Sequence, residues 1–292
     1  MDDARMSPGD SREGAADAVY TPERSAGGEG SQGRAGCMTP AAVPPAKQPP
    51  VVSARGLSVG YGRGKAAKQV VRDVALDVLP GEVLGLVGES GSGKSTFAKC
   101  IAGFLGFSTG SLELSPAAEA PARGPKRVQM VFQDPRSSFD PRRTLGQSVV
   151  EGLRNAGLSK SAALNRSGLL FERCGLAREL LGRYPHQVSG GQCQRAAIAR
   201  ALAAEPALLI ADEATSALDV TVQAQVIGLL RELNAESGMA VLFICHDLAL
   251  VQDFCDRVAV MHDGRLVEVG PTEQVLAHPV DPYTASLIEA AL

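Results

Sequence analysis

The sequence predicts an α/β fold in which a parallel β-sheet is covered by helices on both faces. Apolar runs of strand length occur at 83–88, 207–211 and 240–245, and segments of helical character separate them. Strands that are apolar along their whole length are typical of a parallel sheet that is buried on both faces. The composition agrees, because 45% apolar and 21% charged residues are values of a globular protein.

The first elements after residue 50 are strands. VVSARGLSVG and QVVRDVALDVLPG are both predicted strands, the second because apolar residues alternate with aspartates. The apolar run VLGLVG then leads through a glycine-rich turn into a predicted helix, KSTFAKCIAGFL. RVQMVF is the next predicted strand, and it ends at Gln133.

The middle of the chain is predicted to be helical. Residues 142–187 carry helical signals and no strand signals, which indicates a helical subdomain inserted at about 134–190. Helices at 191–203 and 220–236 then alternate with two apolar strands, and a hairpin turns at Asp263-Gly264.

The N-terminal segment differs from the rest. Residues 1–50 contain seven glycines and seven prolines, so we expect a disordered extension followed by one domain at 51–292. One hypothesis is that the natural start is Met38. With no signal-peptide pattern and no apolar run of about 18 residues, we expect a cytoplasmic protein without a membrane span. Six scattered cysteines indicate a reducing compartment, and a net charge of −3 gives no basic field for nucleic acid.

The turn after the strand at 83–88 has the pattern of a phosphate-binding loop. GESGSGKST fits G-x-x-x-x-G-K-[ST], with Lys94 and Ser95 in the last two positions. The glycines let backbone N–H groups surround phosphates, Lys94 supplies positive charge, and Ser95 can bind Mg²⁺. The predicted nucleotide-binding residues here are Gly88, Glu89, Ser90, Gly91, Ser92, Gly93, Lys94, Ser95 and Thr96.

Two acidic residues follow the strand at 207–211. Asp212 ends this strand at the edge where open parallel sheets bind ligands, so we expect it to help hold Mg²⁺. Glu213 is placed next to it to act as the general base that activates water in phosphoryl transfer.

Together these motifs resemble those of ABC-type ATPases. SGGQ at 189–192 is similar to the signature motif of that family, and it precedes DEATSALD as expected. The resemblance covers about 51–292. It implies a P-loop NTPase core with a parallel sheet, an antiparallel β subdomain and the inserted helical subdomain.

The resemblance also assigns roles to other residues. Gln133 matches the Q-loop glutamine, which approaches Mg²⁺ and the attacking water beside the transmembrane partner. His246 matches the switch histidine at the γ-phosphate, and Tyr61 the aromatic residue that stacks on adenine. Ser216 to Asp219 match the D-loop, where Asp219 is expected to lie at the nucleotide. Cys193 and Cys245 are interpreted as small apolar core residues.

The signature motif implies a second ATPase subunit. Ser189 lies 95 residues after Lys94, at the start of a helix whose first amides, with Gly190, Gly191 and Gln192, form another anion site. In the family this site closes on ATP held by a partner subunit, so we expect a dimer, which can be a homodimer or a heterodimer. Two membrane permease subunits and, indirectly, an extracytoplasmic substrate-binding protein complete the implied machine.

Longer stretches favour one branch of the family. VFQDPRSSFDPRRTLGQSV, YPHQVSGGQCQRAAIARAL and VGPTEQVLAHPVDPYTASLIEA resemble the ATPases of dipeptide, oligopeptide and nickel importers. Val188, Cys193 and Ala214 depart from the usual motif residues. The expected location is the cytoplasmic face of the membrane. The alternatives are a soluble ABC-type ATPase that drives a cytoplasmic assembly, and a weakly hydrolysing subunit of an asymmetric heterodimer.

Overall fold

The computed structural model describes residues 49–61, 68–119, 127–215 and 218–291. The predicted disordered extension at 1–50 therefore lies outside the described residues, apart from Pro49 and Pro50. The domain limits 51–292 and the subdomain limits of about 134–190 stay predictions.

A three-stranded antiparallel sheet forms the first layer. It contains β1 (Val52–Tyr61), β2 (Lys68–Val78) and β4 (Thr109–Leu114), in the order β2-β1-β4. The strand β4 was not predicted, because its sequence TGSLEL is mostly exposed and has only two apolar residues. Its pairing with β1, about fifty residues earlier in the chain, makes it a strand.

The second sheet is the parallel core that the sequence predicts. Its strands are β3 (Val83–Val87), β5 (Val128–Val131), β6 (Leu208–Asp212), β7 (Ala240–Ile244), β8 (Arg257–His262) and β9 (Arg265–Pro271). Their order is β5-β6-β7-β3-β8-β9, and only β9 runs antiparallel to its neighbour. The loops after β3, β5, β6 and β7 therefore leave the sheet at one edge.

The described residues form eight α-helices. They are α1 (Lys94–Ile101), α2 (Leu145–Asn155), α3 (Lys160–Arg173), α4 (Gly190–Leu202), α5 (Val220–Ser237), α6 (Leu248–Phe254), α7 (Thr272–Ala277) and α8 (Pro282–Glu289). The region 142–187 consists of α2, α3 and two short 3₁₀ turns. The helix predicted to reach residue 105 ends earlier, at Ile101, and Gly103 soon afterwards has the left-handed φ of 75°.

The core lies on both faces of the six-stranded sheet. Alternate residues of β3 point to opposite sides: Val83 and Val87 join the residues packed by the helices α2 to α6, whereas Leu84 and Leu86 join those packed by α1 and the antiparallel sheet. This arrangement explains why the strands are apolar along their whole length. Cys193 and Cys245 are buried in the helical layer, as interpreted from the sequence.

The hairpin at the end of the sheet has the predicted turn. Asp263 and Gly264 have φ values of 45° and 79°, and a two-residue turn with two positive φ values matches the twist of the flanking strands. None of the described helices is both long and apolar enough to cross a bilayer.

Gly110 provides a test of the unpredicted strand β4. A Cβ atom at this position would lie 2.4 Å from the Gly56 carbonyl oxygen, and the φ of Gly110 is 94°. We expect Gly110→Ala to lower the free energy of unfolding by about 1–3 kcal/mol, the typical cost of such backbone strain. Urea unfolding followed by circular dichroism measures this, since the chain has no tryptophan. Gly106→Ala is the control, because its Cβ would meet no atom within 4 Å; equal losses would contradict the prediction.

Candidate active site

The predicted phosphate loop joins β3 to α1. Gly88 adopts a φ of 142°, and a Cβ atom there would lie 2.1 Å from the Met261 carbonyl oxygen, so only glycine fits. Gly93, with a φ of 108°, occupies the cap position of α1. The loop therefore turns tightly and directs the N-terminus of α1 toward its interior, which is the geometry that binds phosphate.

Lys94 lies across the opening of this loop. Its side chain is 6% exposed, and Nζ donates hydrogen bonds to the carbonyl oxygens of Gly88 and Glu89, both at 2.7 Å, and to Ser92 Oγ at 3.3 Å. Burial lowers the pKa of Lys94, while nearby carboxylates, Glu213 first among them, act in the opposite direction. The ammonium group is thus held where it can neutralise phosphate charge.

Ser95 and Asp212 connect the loop to β6. Ser95 Oγ donates a hydrogen bond of 2.9 Å to Asp212 Oδ1. Asp212 is 5% exposed, and burial raises the pKa of its carboxyl group, although the bond from Ser95 opposes this. The two oxygens fit Mg²⁺, which uses one or two carboxylates together with waters and substrate phosphates. Among the described residues, no three histidine, cysteine or acidic side chains are grouped to hold a metal by themselves.

Glu213 directly follows this strand in an unusual conformation. Its φ is 49°, in the left-handed region that glutamate seldom occupies, and its backbone N–H donates to the Ile244 carbonyl oxygen at 3.0 Å. Its carboxylate accepts a hydrogen bond from Gln133 Nε2 at 2.5 Å. The ends of β5 and β6 thereby bring the predicted base and the predicted Q-loop glutamine together.

A small cavity brings His246 to the same place. It has a volume of about 120 Å³ and is lined by Glu213, Thr215, Gln223, Cys245, His246 and Asp247. This volume is enough for a few water molecules, each of which occupies about 30 Å³ in the liquid. Thr215 and Gln223 were not predicted from the sequence. Thr215 lies only two residues beyond Glu213, whereas no sequence signal brings Gln223, on α5, to the cavity.

Tyr61 reaches the start of α1 from the end of β1. Its hydroxyl lies 3.3 Å from Thr96 Oγ1, within hydrogen-bonding distance, and its side chain is 46% exposed. The ring is therefore open to solvent beside the phosphate loop, where a flat ligand could stack on it.

The predicted signature segment forms the N-terminus of α4. Ser189 Oγ accepts a hydrogen bond from the Gln192 N–H at 3.2 Å, and Gln192 Oε1 accepts one from the Ser189 N–H at 3.0 Å. This capping box leaves the amides of Gly190 and Gly191 in the first turn, where N–H groups have no acceptor within the helix. In the described part of the chain, no hydrogen bond joins this segment to the phosphate loop.

Asp219 caps α5, since its Oδ1 accepts a hydrogen bond from the Val222 N–H at 2.9 Å. Its expected contact with nucleotide stays a prediction. Ser216 and Ala217, the first residues of the predicted D-loop, lie outside the described residues.

Hydrogen bonds that the sequence did not predict fix α4 and the residue before its cap to the segment after β5. Arg136 donates to the Val188 carbonyl oxygen at 2.9 Å, and Arg200 donates to the Ser138 carbonyl oxygen at 2.6 Å. Gln194 donates to the Phe132 carbonyl oxygen at 3.4 Å. The helix that carries SGGQ is therefore tied to both sides of Gln133.

Comparisons with known proteins identify the family. The family model described as ABC transporter matches residues 71–216. A putative peptide import ATP-binding protein of Brucella ovis is 42% identical over 248 residues, which cover 82% of this chain and 78% of the relative. An oligopeptide transport ATP-binding protein, OppF of Streptococcus mutans, is 41% identical over 249 residues, 82% of this chain and 81% of the relative. The chain belongs to the ABC transporter family, as an ATP-binding subunit that hydrolyses ATP.

Solved structures confirm the predicted fold class. The dimeric ATP-binding cassette MJ0796 in a post-hydrolysis state with ADP and Pi superposes with a TM-score of 0.67 at 26% identity, covering 76% of this chain and 98% of that one. The cbiO1 protein of Clostridium perfringens, part of the cbiONQ transporter complex, gives a TM-score of 0.66 at 27% identity over 79% and 92% of the two chains.

Proposed function

We propose that this chain is the ATP-hydrolysing subunit of an importer for peptides or nickel. It energises transport through two membrane permease subunits, which receive substrate from an extracytoplasmic binding protein. The main support for an ATPase site is that the ends of β3, β5 and β6 meet at one edge of the sheet. At this edge Ser95 bonds to Asp212, and Gln133 bonds to Glu213. The peptide class is supported by the names of the relatives in Brucella ovis and Streptococcus mutans.

Nucleotide binding uses the loop and the aromatic ring beside it. The backbone amides of residues 88–96 and the Lys94 ammonium group hold the phosphates, while Tyr61 stacks on adenine. Ser95, Asp212 and, through water, Gln133 would hold Mg²⁺, which supplies charge neutralisation between the phosphate oxygens.

Hydrolysis uses the groups around the small cavity. Glu213 accepts a proton from the attacking water, and Gln133 orients this carboxylate and the water through its amide. His246 lies on the same cavity and donates to the γ-phosphate. The strained backbone at Glu213 holds the carboxylate toward this cavity, as such strain often does at active sites.

Replacing the proposed base tests this assignment. We expect Glu213→Gln to slow ATP hydrolysis by roughly 10²- to 10⁴-fold while ATP binding persists, because the amide accepts no proton but keeps the shape. Phosphate release and equilibrium ATP binding are measured on the same preparations. Glu205→Gln is a matched control, since Glu205 is exposed and also has a left-handed φ, of 46°. Normal turnover of Glu213→Gln would refute the assignment.

The signature segment requires a second subunit in this proposal. Ser189 and the amides of Gly190 and Gly191 present an anion site at the N-terminus of α4, separate from the phosphate loop of their own chain. We infer that it closes on ATP bound to a partner ATPase subunit, head to tail, so that ATP holds the dimer together and hydrolysis releases it. The dimeric state of the related cassette MJ0796 supports this arrangement.

A comparison of two serine caps distinguishes a role of Ser189 in dimerisation from its contribution to helix stability. Ser189 and Ser159 each accept a hydrogen bond at the start of a helix, from Gln192 and Ala162 respectively. We expect Ser189→Ala and Ser159→Ala each to cost about 1 kcal/mol of unfolding free energy. Only Ser189→Ala should also weaken ATP-dependent dimerisation, measured by analytical ultracentrifugation. Equal dimerisation of the two variants would count against the proposed half-site.

An exposed aromatic surface near Gln133 fits a permease partner. Phe104 and Phe107 are 60% and 44% exposed, and the Phe104 ring lies 5.5 Å from that of Phe132. Large exposed apolar side chains that adjoin one another often mark binding surfaces. We propose that a permease loop docks here, which places the chain peripherally on the cytoplasmic face of the membrane.

Co-purification tests the transport function. After detergent solubilisation of source membranes, the affinity-tagged chain should retain integral membrane permeases, identified by mass spectrometry. Phe104→Ser should lower their yield severalfold, whereas Val280→Ser, at another exposed apolar residue, should not. Recovery of soluble partners alone would instead favour an ATPase that drives a cytoplasmic assembly.

A further inference from the structure

A tyrosine near the C-terminus contacts the phosphate loop. The hydroxyl group of Tyr283, in the first turn of α8, accepts a hydrogen bond of 3.0 Å from the backbone N–H of Glu89. Glu89 is the second residue of the loop, and 194 positions separate the two residues in sequence. No sequence motif assigns a role to Tyr283.

The bond from Tyr283 fixes a peptide group that Lys94 also holds. The peptide between Gly88 and Glu89 consists of the Gly88 carbonyl and the Glu89 N–H. Lys94 Nζ donates to that carbonyl oxygen at 2.7 Å, while the N–H donates to Tyr283. A peptide plane held at both ends cannot rotate without losing both bonds, so its orientation sets the place of the ammonium group.

Tyr283 is itself supported by a close, tilted ring contact with His262. Its ring centroid lies 3.8 Å from that of His262, at the end of β8, and the side chain packs against the buried residues of the helical layer. Burial raises the pKa of the Tyr283 hydroxyl, so the group remains a neutral acceptor at physiological pH.

The start of α8 is held by hydrogen bonds to β9. Glu268 accepts hydrogen bonds from the N–H groups of Val280 and Asp281, at 3.0 and 3.1 Å. Burial acts to raise the pKa of Glu268, but hydrogen bonds from Val280, Thr284 and Asp281 together lower it. Asp281 in turn caps α8 through the Tyr283 N–H at 2.8 Å. The position of the tyrosine therefore depends on the sheet and not on the flexibility of a chain end.

We propose that Tyr283 is a positioning residue for the phosphate loop. Its hydroxyl fixes the Gly88–Glu89 peptide, and through it the Lys94 ammonium group, in the orientation that receives the nucleotide phosphates. This inference rests on the proposed function, because it assumes that the loop binds ATP. It gives the C-terminal segment 278–291 a direct part in nucleotide affinity.

Removing the hydroxyl while keeping the ring tests the proposal. In the full chain, Tyr283→Phe should raise the KM for ATP by roughly 3- to 10-fold, the effect of losing one hydrogen bond, with kcat at saturating ATP within about twofold of wild type. Ser286→Ala is the matched control, because it removes another hydroxyl of α8, one that donates to the Tyr283 carbonyl oxygen. Its KM should not change, and the thermal unfolding midpoints of the two variants should agree.

Three results would overturn the positioning role. They are an unchanged KM in Tyr283→Phe, an equal rise in Ser286→Ala, or a rise that is matched by a lower unfolding midpoint. The variant Lys94→Ala distinguishes a failure of the positioning role from a failure of the proposed function. If Lys94→Ala binds ATP as well as wild type does, the loop is not the nucleotide site, and the proposed function fails first.

Discussion

The burial of two opposite charges at one edge of an apolar sheet is the constraint on which the site depends. Lys94 and Asp212 are almost fully buried, and burying a charge without partners is costly. The loop carbonyls of Gly88 and Glu89 satisfy the ammonium group, and Ser95 bonds the carboxylate. The tight turn at Gly88 is thus required by electrostatics as well as by shape, because it aims carbonyl oxygens at Lys94.

The central sheet, and the grouping of most candidate site residues at its edge, could be predicted from the sequence because both have local signals. The apolar strands at 83–88 and 207–211 determine the positions of Lys94 and Asp212, because the ends of parallel strands lie at the same edge of a sheet. The sequence could not predict β4, whose own residues are mostly exposed and which depends on pairing with β1. Tyr283 was missed for the same reason, because its contact with Glu89 joins distant parts of the chain.

Hydrogen bonds around Gln133 connect the helical region to the edge of the sheet where the candidate site lies. Gln133 contacts Glu213, while Arg136 and Arg200 tie the following residues to both ends of α4. Arg200 is also largely desolvated and lies over the Phe139 ring at 4.3 Å, which strengthens the attachment. A shift of Gln133 would therefore be transmitted to the start of α4, which carries Ser189.

The strand order has a consequence for how the chain is made. The strand β3, which leads into the phosphate loop, pairs with β7 on one side and with β8 on the other. Val83 is paired with Val241, about 160 residues later. At translation rates of about 5–20 residues per second, the strands that pair with β3 are synthesised roughly 8 to 35 s after it. Such long-range pairing is slow to form and leaves an apolar strand exposed to aggregation. The strand order therefore delays completion of the sheet around the phosphate loop until most of the chain has been made.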